Sequence, residues 1–92
     1  MNVEHITWSD SHSDANIWVD PDDIFFHEII CHSIGFVLKE NEKLILITAH
    51  YSPKQNGRDN EQVSGHMVIP KCSIVSRKVL FEQDFDIKDN KE

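Results

Sequence analysis

Residues 31–52, CHSIGFVLKENEKLILITAHYS, constrain the fold more than any other stretch. Ile34, Phe36 and Leu38 alternate with Ser33, Gly35 and Val37, which is the period of a strand. Lys39–Lys43 supplies a charged turn, and Asn41 is suited to a positive φ within it. Leu44–Thr48 then reads LILIT, apolar on both faces. A strand of that kind needs cover on both sides. A barrel interior would provide one cover, and a helix, a loop or a second subunit the other. The hairpin is therefore read as the core, and its second strand as the reason to expect a homodimer or higher oligomer.

The rest of the chain supplies material around this hairpin. Val3–Trp8 has β-forming residues in partial alternation and reads as a first strand, and Ser9–Asn16 as a polar loop. Asp20 is placed as an N-cap, Pro21 suits the first helical position, and Asp22 and Asp23 suit the positive helix end. A short helical turn is predicted over Pro21–Phe26, with residues 27–32 open to either a helix end or a strand. Tyr51–Glu61 is a polar loop holding an Asn56-Gly57 turn. Gln62–Ile69 alternates again, with Val63, Met67 and Ile69 on one side and His66 and Val68 on the other. Gly65 permits a bulge there. Pro70–Ser73 is a tight connector to a last strand, Ile74–Phe81. The expected fold is mainly β: a small antiparallel SH3/Sm-like barrel or strongly bent sheet with one short helix. It forms one domain over residues 1–83, followed by a charged C-terminal tail over 84–92.

Charge is unevenly placed. Net charge is −7, yet residues 1–38 hold seven acids (Glu4, Asp10, Asp14, Asp20, Asp22, Asp23, Glu28) and no Lys or Arg. Residues 39–81 hold seven bases against four acids. An acidic pole and a mildly basic one suit self-association, a basic partner or a small anionic ligand. The overall negative charge argues against general DNA-backbone binding. No apolar run is long enough to span a bilayer, and MNVEHITW lacks the regions of a signal peptide. An intracellular site follows as an expectation, with Cys31 and Cys72 as free thiols, one or both of them buried.

The stretch SIGFVLKENEKLILI, a loop and then VIPKCSIVSRKVL resembles the strand plan of SH3-like and Sm-like barrels. The Sm RNA-binding residues are not present. The turn is Glu40-Asn41-Glu42-Lys43, and Pro70-Lys71 stands where an Arg-Gly would sit. Over nearly the whole chain, Trp8-x-Asp10-Ser11, Trp18, Ser33-Ile34-Gly35-Phe36, Ile69-Pro70-Lys71 and Ile74-Val75 resemble small uncharacterised phage and prophage accessory proteins. That resemblance implies a phage product acting in the host bacterial cytoplasm against antiphage defence.

Chemistry-bearing residues are sparse. His27 and Cys31 would share a face on a helix, but no second cluster completes a zinc site. Asp10, His12 and Asp14 alternate in a polar loop without the Gly and distal Glu of a calcium loop. No serine sits in a nucleophile elbow. No metal, cofactor or catalytic residue is assigned, and the chain is read as a non-enzyme. Trp8 and Trp18 are suited either to core packing or to stacking on a base. Lys54, Arg58, Lys71, Arg77 and Lys78 are candidate phosphate partners. The expected function is binding and sequestration of a small nucleotide-like immune signal by Trp8, Trp18, Arg58, Lys71 and Arg77. The alternatives are an acidic, nucleic-acid-mimicking inhibitor of a basic host defence protein, working through residues 10–28, or a phage structural component.

Overall fold

A computed structural model describes residues 1–13 and 18–84. Five antiparallel strands form one open sheet: β1 (Asn2–Asp10), β2 (Ile29–Glu40), β3 (Leu44–Ser52), β4 (Gln62–Pro70) and β5 (Ile74–Glu82). Their order across the sheet is β4-β3-β2-β1-β5. The first four strands form a meander, and β5 returns to the far side of β1. Met1 and Gln83 exchange main-chain hydrogen bonds of 2.7 and 2.9 Å, extending the β1–β5 pairing to the chain end.

The connection from β4 to β5 forces curvature. These strands lie at opposite edges, about 19 Å apart in a flat five-stranded sheet at ordinary spacing. Only a 3-10 turn, Lys71–Ser73, joins them. Pro70 and Ile74 can therefore be separated by no more than about 14 Å of extended chain. The sheet bends until its edges approach at that end. Among the described residues it does not close, because β4 pairs only with β3 and β5 only with β1.

The bend creates an inner face. Ile6 from β1, Ile45 and Ile47 from β3 and Ile69 from β4 pack together as the buried core, with Trp8, Val37 and Ile74 against them. Strands two and three places apart meet through these side chains only because the sheet is curved. Gly35 lets β2 approach β3 closely, since a Cβ there would lie 2.9 Å from the Thr48 carbonyl oxygen. Gly65 has φ +70° and sits opposite Ala49, where the regular β3–β4 pairing skips a step. Buried Thr48 steadies that step by donating to the carbonyls of Ser64 and His50.

Several local expectations change. The helical signal yields only a 3-10 turn, Pro21–Asp23, whose Asp20 makes no side-chain cap. Ile24 is already extended and β2 begins at Ile29, so residues 29–32 are strand. Asn41 does not adopt positive φ. Its Oδ1 instead accepts from the backbone N–H groups of Lys43 and Leu44, both at 2.8 Å. Both cysteines are free, but neither is buried: Cys31 is half-buried and Cys72 exposed. The two-sided cover expected for β3 is incomplete. Ile45, Ile47 and Thr48 are buried, whereas Leu44 is exposed on the outer face. The tail from residue 85 lies outside the described residues.

Candidate functional site

The inner face carries one charged assembly. Glu4 on β1 is 3% exposed. Arg77 on β5 donates to both of its oxygens, Nε to Oε1 at 2.8 Å and Nη2 to Oε2 at 2.9 Å. The same guanidinium donates to both Glu40 oxygens at 3.0 and 2.9 Å. Lys71 completes the row, with Nζ 2.6 Å from Glu40 Oε1. The row thus ties β1 and β5 to the end of β2 and to the 3-10 turn. Hydrogen bonds from Arg77 and then Lys71 hold the Glu40 carboxyl down at about 2, while Glu4 and then Glu40 push the Arg77 guanidinium further up. Among the described residues, no buried side-chain nitrogen or oxygen lacks a hydrogen-bond partner.

The five residues expected to bind a nucleotide-like ligand fall into three places. Trp8 and Arg77 share the inner face near Ile6, since Trp8 pairs with Ile74 and Ile6 with Arg77. The Trp8 indole packs on the core and donates to Ser33 Oγ at 3.0 Å. Lys71 is held by Glu40. Arg58 lies in the β3–β4 loop and binds its own loop, donating to the carbonyls of Pro53 and Asn60 and to the side chains of Ser52 and Gln62. Trp18 lies in the β1–β2 connection, 103% exposed.

Residues 18–28 of that connection form an exposed arm. Beyond Trp18 it presents Val19, Ile24, Phe25 and Phe26, all exposed, with Phe26 at 93%. The acids Asp20, Asp22, Asp23 and Glu28 stand between and beside them. Phe25 fixes the base of the arm, its ring centroid 5.4 Å from His12 and 5.0 Å from His27. His12 Nε2 also lies 3.2 Å from the His27 carbonyl oxygen. His27 thus sits at a bend with its ring tilted against Phe25, while Cys31 faces Trp8 across the β1–β2 pair. Asp14 lies outside the described residues. Among those described, no group of three or more His, Cys, Asp or Glu converges where a metal could sit.

A second cluster went unread in the sequence. His5 Nε2 and His32 Nδ1 share a hydrogen bond of 2.9 Å on the outer face, and Thr7 Oγ1 lies 3.2 Å from the same His32 nitrogen. Residues 5 and 32 belong to different strands, and only the β1–β2 register brings them together.

No helix is long and apolar enough to cross a membrane among the described residues. No protein-family model, no curated protein and no solved structure matches the chain.

Proposed function

We propose that this chain is a non-enzymatic binding protein whose arm, residues 18–28, docks on another protein through an apolar pocket with a basic rim. One observation carries the reading: Trp18 and Phe26 are almost wholly exposed beside three closely spaced carboxylates. Aromatic anchors of this size dominate binding energies when a partner desolvates them. Flanking charge speeds encounter and selects the partner. Edge-on and tilted ring contacts of Phe25 with His12 and His27 hold the arm's base and lower the ordering cost of docking. The resemblance to phage accessory proteins supports a partner among basic proteins of bacterial antiphage defence, in the host cytoplasm.

Self-association belongs to the same proposal. The strand order, with a short connector before a last strand that returns to β1, supports the small-barrel resemblance. Both edge strands expose apolar side chains, Met67 and Val68 on β4 and Val79 and Phe81 on β5. An uncovered edge of this kind is a template for another chain.

Sequestration of a small nucleotide-like signal is the second reading. The open indole of Trp18 favours it, because an exposed aromatic face can stack on a base. It ranks lower through Trp8, Arg58, Lys71 and Arg77, since a phosphate would have to displace the protein partners those groups already hold.

The test is phage plating on bacteria carrying a panel of defence systems and expressing the protein. Wild type should restore plating on at least one. Reversing Asp20, Asp22 and Asp23 to Lys, or truncating Trp18 and Phe26 to Ala, should abolish that rescue. Rescue that survives both changes defeats the docking reading. Loss with Trp18→Ala but not with charge reversal selects the second.

A further inference from the structure

We infer that the outer face of β2, β1 and β5 holds a binding site for a phosphate monoester, built by Lys78, His5, His32, Thr7 and Ser76. Register alone assembles it. Thr7 pairs with His32 on one side and with Ser76 on the other, and His5 pairs with Lys78. Directly paired residues project to the same face, with Cβ atoms about 5 Å apart. The hydrogen bonds among His5, Thr7 and His32 confirm that these three share it. Arg77, between Ser76 and Lys78, reaches Glu4 on the inner face, so its two neighbours project outward. Five polar side chains thus occupy two adjacent rows across three strands.

The chemistry of the patch is that of an anion acceptor. Lys78 supplies an ammonium, Thr7 and Ser76 supply hydroxyl donors, and the imidazoles supply ring N–H groups. In a chain of net charge −7, no Asp or Glu stands at the outward positions of 3–9, 30–36 or 76–78. Lys78 forms no ion pair among the described residues, unlike Lys71 and Arg77. A cation fits poorly beside the Lys78 ammonium with only two imidazoles to hold it. Ile34, 61% exposed and paired with His5, offers an apolar surface beside the polar rows. A phosphate monoester carrying an aromatic or apolar group, such as a nucleotide, matches both parts.

The inference deepens the sequestration reading. Its test reads the patch directly, so it can fail while that reading stands through Trp18. The full chain, isotope-labelled, is titrated with inorganic phosphate and with AMP by NMR. Saturable shifts are expected at Lys78, Thr7, Ser76 and both imidazoles, with AMP also moving Ile34. Lys78→Ala should weaken binding by about tenfold or more. Lys39→Ala should leave it unchanged, and both variants should melt with the wild type. The absence of saturable shifts up to about 10 mM phosphate or AMP overturns the site, as does a Lys78→Ala protein that binds like the wild type. Zinc saturating the imidazoles where phosphate does not would overturn it in favour of a metal pair. Sedimentation with phosphatidic-acid vesicles without AMP binding would overturn it in favour of a lipid surface.

Discussion

The inner face and the arm are opposite solutions to the same shortage of material. On the inner face four isoleucines are sealed, and each oxygen of Glu4 accepts from Arg77. On the arm, Trp18, Phe25 and Phe26 are exposed, and the 3-10 turn at its centre buries nothing. A short chain buries a modest share of its surface. Here that share is spent on one face of a bent sheet. The contrast teaches that the residues holding the fold and those proposed for docking are different, so each set can be altered while the other is watched.

The largest expected effect breaks the inner face. Arg77→Leu strands the nearly buried Glu4 carboxylate and should cost about 3 kcal/mol, read as a loss in urea unfolding free energy. Such a loss is a large part of what a domain of this size possesses. A change below about 0.5 kcal/mol, the range of ordinary surface substitutions, would show that the charged row contributes no cohesion. Gly35→Ala comes next, because its Cβ would meet the Thr48 carbonyl, a backbone atom that cannot swing aside. A cost of about 2 kcal/mol is expected from overpacking, seen as a lower melting temperature.

Acid should sharpen the comparison more gently. The Glu40 carboxyl titrates at about 2 in the folded chain against 4.5 as its ordinary value, through Arg77 and Lys71. A carboxyl depressed by folding stabilises above its unfolded value, and that contribution is lost as pH falls from about 4.5 toward 2. Wild type should therefore lose more melting temperature over that window than Glu40→Gln does. Equal slopes would remove Glu40 from the acid response. The smallest effect belongs to the arm. Trp18→Ala should change stability by no more than about 0.5 kcal/mol, measured by the same unfolding, although the proposed docking depends on that side chain.

Much of the sheet was legible. Period-two alternation marked the strands around Ile34–Leu38 and Gln62–Ile69, and the faces assigned to Val63, Met67 and Ile69 agree with the β3–β4 register. The site was less legible because its partners are remote in the chain. Arg77 meets Glu4 across 73 residues and Glu40 across 37. Nothing in a local window distinguishes an arginine bound for a ligand from one bound for a carboxylate. Arg58 differs: its partners, Ser52 to Gln62, are all in its own loop, and a loop of hydroxyls, carbonyls and amides around one guanidinium was a signal available to be read.

Sequence by itself determined the β class, the short connector before the last strand and the concentration of acids ahead of Lys39. These follow from side-chain period, turn chemistry and charge, which are local properties. Tertiary structure decided which tryptophan packs on the core, how three of the bases are engaged, and that two histidines meet beside Lys78. Those outcomes depend on β5 crossing to β1 and on the sheet bending, because non-local register sets which side chains share a face. The charged turn and the two-sided strand at Leu44–Thr48 called for cover on both sides. The bend supplied cover to Ile45 and Ile47, and left Leu44 exposed on the outer face.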